Sequence, residues 1–144
     1  MEKCIALGAR CLDYEIYSYN GEPIIASSTA NDNNIKETYN FINFNEMLKT
    51  LHDNVFGANT NINTDPMFLH FRIMSENKTI YDKMGELINT NLKDYLLTDL
   101  TDKYYNNAQT IITDPQNIAN RMLKDLKNKY IIMVTTVHSP ALLN

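Results

Sequence analysis

The chain has 144 residues, 44% of them apolar, a net charge of −4 and three arginines: Arg10, Arg72 and Arg121. That bounds it to one domain with enough chain for a real core, and it leaves no basic surface for nucleic acid. No apolar run approaches the ~20 residues of a membrane-spanning helix, and the opening Met1-Glu2-Lys3-Cys4 is not a signal peptide. Cys4 and Cys11 have neither metal-ligand nor disulfide-framework spacing. They are expected to be reduced and partly buried, which places the chain in the cytoplasm, at most peripheral at membranes. About twenty asparagines, clustered at 31–34 and 59–63, mark a compositional bias rather than a site. Four glycines leave no glycine-rich phosphate loop.

In chain order, residues 2–8 read as a short helix stopped by Gly8. Arg10–Ser18 reads as a strand. Its alternation puts Leu12, Tyr14 and Ile16 on one face and Cys11, Asp13, Glu15 and Tyr17 on the other. Asn20-Gly21 is a turn signal and Pro23–Ala26 a second short strand. Residues 27–42 are polar and loop-like. Phe44, Met47, Leu48, Leu51 and Val55 recur at helical spacing within 43–56. After a polar loop at 57–65, the near-continuous apolar run 66–74 suits a parallel strand covered on both sides. Ile80, Met84, Leu87, Ile88, Leu92 and Leu96 make one stripe of a long helix over 78–97. A polar connection follows at 98–113. Asp114-Pro115 is a helix start, and the spacing predicts a helix to about Lys127. Tyr130–Thr135 is the last strand, and 136–144 a tail, so the domain spans 1–135. Strands alternating with helices predict an α/β domain with a mainly parallel sheet.

Asp13 and Glu15, two apart on a strand, share one face. Buried side by side they would repel, and a cation would relieve the repulsion. The pair is therefore either a cation site or part of a wet face.

The run Gly8, Arg10, Cys11, Leu12, Asp13, Tyr14, Glu15, then Glu22, Pro23, Ile24 and Ile25, resembles the X domain of phosphoinositide-specific phospholipase C. Order, spacing and apolar positions agree, and the later elements follow the same sequence through 135. The resemblance implies a partial TIM-type (β/α) barrel, with the strand at 66–74 as its central strand and 126–134 as the family's leucine-lysine-x-lysine strand. It also implies phosphodiester cleavage in a phosphoinositide by two histidines and a calcium ion.

Carried over residue by residue, that chemistry is incomplete. The first histidine of the family precedes the first helix, and this chain begins at or inside that helix. Asp13 and Glu15 fall on the two early calcium-ligand positions, in reversed order. Calcium tolerates that one-methylene change better than magnesium would. Ser27 stands where the second histidine belongs, and a hydroxyl cannot serve as its general acid. Arg72 stands where the third carboxylate belongs, and a fixed cation there would repel calcium and pair with Asp13 and Glu15. The phosphate-binding lysines of the last strand fall near Met133 and Thr135 and are lost. His70 alternates with Arg72 and faces the barrel interior; buried polar groups find partners, which favours a satisfied interior histidine over a catalytic one. His52 lies on the polar side of a helix and His138 in the tail, neither within a motif.

Three readings follow. In the first, this is an X-domain-like partial barrel with degraded catalytic and calcium sites and no cofactor, its Arg72, Asp13 and Glu15 forming a buried salt-bridge cluster. In the second, it is a metal-independent phosphodiesterase acting on a phosphoinositide or another phosphodiester lipid. Arg72 then replaces calcium, His70 is the base and Asp13 orients it. In the third, it is a non-catalytic interaction domain or a piece that needs a partner, self-associating through the open barrel edge.

Overall fold

The computed structural model describes residues 1–27, 40–56, 64–98 and 118–136. A short helix α1 (Glu2–Ala6) leads into β1 (Cys11–Tyr19) and β2 (Glu22–Ile25). Then come β3 (Ile42–Asn43), α2 (Phe44–Val55), β4 (Met67–Ile73), α3 (Thr79–Leu92) and β5 (Tyr130–Thr136). The five strands form one sheet in the order β3-β2-β1-β4-β5. β1, β4 and β5 run parallel, the hairpin strand β2 runs against them, and short β3 pairs antiparallel with β2. Strands and helices alternate over this open, mostly parallel sheet, as in part of a TIM-type barrel.

Turn chemistry sets the first elements. Gly8 follows α1 with φ 98°, and its amide donates to the Ile5 carbonyl, so the predicted stop is where the helix ends. Asn20 and Gly21 both take positive φ, 51° and 75°, the pair needed by a tight hairpin between β1 and β2.

Most of the core lies on one face of the sheet, while Tyr17, Ile24 and Ile131 are buried on the other. Ile16, Met67, Leu69, Phe71 and Ile73 pack against Phe44, Met47, Leu48, Leu51 and Val55 of α2 and Ile80, Met84 and Leu92 of α3. Ile5 of α1 joins them, and Leu12 and Tyr14 pack at the margin. This is the apolar face expected of β1, and the helical stripe of α2 is buried at each expected position. Phe71 is the centre of an aromatic contact, edge-on to Phe44 at 5.3 Å and tilted to Tyr14 at 6.1 Å.

Several expectations need correcting. β4 is not covered on both sides: Met67, Leu69, Phe71 and Ile73 are buried, while Phe68, His70 and Arg72 are partly exposed. Ile42, read as loop, pairs with Ile25 as the start of β3. The helix over 78–97 ends at Leu92, tightens into a 3-10 turn at Lys93–Tyr95, and turns extended at Leu96. Leu96 then joins the sheet edge beside Tyr130, and the Leu97 amide donates to the Tyr130 carbonyl at 3.0 Å. Within 118–127 there is no α-helix, only 3-10 turns at Ile118–Asn120 and Leu123–Leu126. Helices are held by burying an apolar stripe, and here Leu126 is buried while Met122 and Leu123 are exposed. Cys4 and Cys11 are both exposed rather than partly buried. The rest of the predicted loops, the start of the helix at Asp114, and the tail beyond Thr136 with His138 lie outside the described residues.

Candidate functional site

The second face of the sheet carries the polar residues singled out in the sequence. Parallel pairing sets Asp13 beside His70 and His70 beside Met133, and sets Glu15 beside Arg72 and Arg72 beside Thr135. Alternation along each strand turns Asp13, Glu15, His70, Arg72 and Thr135 to one face. Arg72 and Thr135 lie at the C-terminal ends of β4 and β5, where α/β sheets and barrels place their sites, while Asp13, Glu15 and His70 lie nearer the middle of their strands.

These side chains form one continuous hydrogen-bonded row. Thr135 Oγ1 lies 2.8 Å from His70 Nε2. His70 Nδ1 lies 2.8 Å from Asp13 Oδ1. Arg72 Nε donates to both Asp13 oxygens at 3.0 and 3.1 Å, and Arg72 NH2 lies 2.8 Å from Oδ2. Arg72 NH1 donates to Glu15 Oε1 at 3.0 Å, and the buried Tyr17 donates its hydroxyl to Glu15 Oε2 at 3.1 Å.

The charges follow from these contacts. The hydrogen bonds from Arg72 hold the Asp13 carboxyl below its usual range against a smaller opposing effect of burial, and the charges of Arg72 and His70 add to the lowering. The same bond to Asp13, with the charges of both carboxylates, raises Arg72. Two carboxylates against one guanidinium leave one excess negative charge when the imidazole is neutral.

The cluster is not the buried salt bridge expected from the sequence. The side chains of Asp13, Arg72 and His70 are 46%, 41% and 29% exposed, and that of Glu15 is 24% exposed. The reason is the open sheet: α2 and α3 cover the other face. His70 is therefore accessible as well as satisfied. As the side chains stand, Arg72 is bonded to oxygens of both Asp13 and Glu15, so a cation already pairs with these carboxylates. Among the described residues no group of three histidine, cysteine, aspartate or glutamate side chains could hold a metal ion. Ser27 follows β2 and is exposed. His52 lies on the surface of α2 beside Asp53, away from the row.

Thr135 is the member of this row that the sequence does not single out. It was noted only as a lost lysine position. Its register opposite Arg72, readable once β4 and β5 are paired, was the signal that could have found it.

No helix among the described residues is long and apolar enough to cross a membrane. No protein-family model matches the sequence, and no curated protein matches it. Solved structures do. PLC21 of L. pealei superposes with a TM-score of 0.63 at 16% identity, over 91% of this chain and 14% of that one. PLC21 of S. officinalis gives a TM-score of 0.56 at 16% identity, with the same coverage of 91% and 14%. The likeness is of fold: this chain is an open, mostly parallel α/β sheet of the kind found within the far longer PLC21 structures.

Proposed function

We propose that the chain is a divergent phosphoinositide-specific phospholipase C X-domain-like protein in which an arginine has taken the place of calcium, and with it the calcium-dependent cleavage of the lipid. One observation carries this reading: Arg72 forks between Asp13 and Glu15, the two residues on the family's early calcium-ligand positions. A guanidinium bonded to both carboxylates satisfies their lone pairs and opposes a divalent cation. Ser27 at the family's histidine position supports the same conclusion. Titrating calcium into the protein by calorimetry tests it. The expected result is no saturable heat. Tight stoichiometric binding abolished by Asp13→Ala would overturn it.

One contact favours a second reading, a metal-independent phosphodiesterase. His70 Nδ1 meets Asp13 Oδ1 at 2.8 Å, as a base held by its orienting carboxylate would. Arg72 would supply the positive charge that calcium supplies in the family. Against it stand the excess negative charge that the row carries when His70 is neutral, which repels a phosphodiester anion, and the lack of a general acid at Ser27. Incubation of phosphatidylinositol with concentrated protein decides: release of an inositol phosphate supports this reading, and none ends it.

A further inference from the structure

The geometry points to a nucleophile, base and carboxylate on this sheet face: Thr135 Oγ1, His70 Nε2 and Asp13 form a hydroxyl-activating triad able to take an acyl group from a neutral carboxylic ester.

A neutral His70 gives the row one direction. The Asp13 carboxylate can only accept, so the ring proton of a neutral His70 sits on Nδ1. That leaves a lone pair on Nε2, and Thr135, at 2.8 Å, donates its hydroxyl hydrogen to it. A nucleophilic hydroxyl needs this chain of contacts: a base within hydrogen-bond reach, held in one tautomer by a third group. The three residues come from three adjacent parallel strands, β5, β4 and β1, so rigid sheet pairing rather than a loop sets their spacing. Thr135 is exposed, so the hydroxyl can be reached.

Arg72 completes the arrangement. It is the cross-strand neighbour of Thr135 on the same face. Of its five N–H groups, one on Nε, one on NH1 and one on NH2 are committed to Asp13 and Glu15. The two that remain can donate to an oxyanion formed beside Thr135. Charge selects the substrate class. With His70 neutral, as a base must be, the row carries one excess negative charge, and a neutral ester approaches without the repulsion met by a phosphodiester.

The step balances within the site. Thr135 Oγ1 bonds to the ester carbonyl carbon while its proton passes to His70 Nε2. The tetrahedral intermediate collapses with cleavage of the carbon–oxygen bond to the alcohol, which leaves with that proton. Water then adds to the acyl-threonine through the same base, the acid is released, and Thr135 recovers its hydrogen.

The test is the full chain with p-nitrophenyl acetate, acid quench and peptide mapping. The expected result is an initial burst of p-nitrophenolate and an acetyl ester on Thr135. Thr135→Val, which keeps the shape and loses the hydroxyl, should remove both, and Thr135→Ser should retain them. His70→Gln should slow the burst by about 10²-fold, the contribution of one general base. Acetylation confined to lysines in the wild-type protein, or a burst unchanged in Thr135→Val, would overturn the proposal. The wild-type map alone decides even if a variant fails to fold. Calcium binding and phosphatidylinositol cleavage are read separately, so failure of either phospholipase reading is distinguishable from failure of this one.

Discussion

Arg72 and Asp13 meet through two nitrogens and two oxygens, with Nε spanning both carboxylate oxygens and NH2 on Oδ2. They are not direct register partners. Asp13 is paired with His70 and Glu15 with Arg72, so the arginine reaches diagonally across the sheet to Asp13 while holding Glu15 beside it. One guanidinium thereby fixes two carboxylates that would otherwise repel each other, and Asp13 passes that order on to His70.

If Arg72 stands in for a metal, as proposed, replacing it with a carboxylate should create a calcium site. Arg72→Glu puts three carboxylates on adjacent strand positions. Without calcium their repulsion should lower the melting temperature. With calcium the melting temperature should recover, with a dissociation constant of about 10⁻⁴–10⁻³ M, as in other loosely built sites. Calorimetry and thermal melts with and without calcium check this. A variant indifferent to calcium would show that the backbone no longer holds calcium-binding geometry.

Acid should loosen the row. Asp13 titrates below its ordinary value of 3.8, chiefly because of the hydrogen bonds from Arg72. A carboxyl whose folded value is depressed contributes its full stability above the unfolded value and loses it as pH falls through the folded one. The loss attributable to Asp13 therefore belongs below pH 3.8. In Asp13→Asn, denaturant melts should show less dependence on pH in that window than the wild-type protein. Equal dependence in both would remove Asp13 from the acid transition.

The core face and the polar face of β1 were both legible, because alternation has one period and the apolar set fell on one side of it. Leu12, Tyr14 and Ile16 did turn to the face covered by the helices, and Asp13, Glu15 and Tyr17 to the other face. Arg72 meeting both carboxylates was readable too, since a cation at a ligand position has few other partners. Exposure was not readable, because it depends on what covers the second face, and strand sequence does not encode that. The absent helix near 118–127 failed for a different reason. Local start signals at Asp114 and Pro115 say nothing about whether Met122 and Leu123 find a surface to bury against, and they do not. The contact of Thr135 with His70 was invisible because it comes from register across β4 and β5.

Tyr130 ties β5 to α2. Its hydroxyl is buried and donates to the Leu51 carbonyl at 2.9 Å, and its ring packs edge-on to Phe56 at 4.8 Å. Burial pushes its phenol well above the ordinary range, so it stays a donor at any working pH. Tyr130→Phe keeps the ring contact and deletes the bond. It should cost about 0.5–1.5 kcal/mol in urea melts. A change near zero would mean that the Leu51 carbonyl is fully satisfied within its helix.

Two glycines should respond oppositely to the same substitution. At Gly8 and at Gly85 an added Cβ would meet nothing within 4 Å, so crowding decides neither case. Gly8 has φ 98°, which an L residue rarely adopts, and it sets the exit from α1, whose Ile5 is in the core. Gly8→Ala should therefore destabilise by about 1–2 kcal/mol. Gly85 is exposed within α3, where glycine costs about 1 kcal/mol relative to alanine. Gly85→Ala should raise stability by nearly that amount, because it restricts the unfolded chain without straining the helix. Urea melts of the two variants separate backbone conformation from packing. A loss at both positions would mean that α3 does not hold Gly85 in helical geometry.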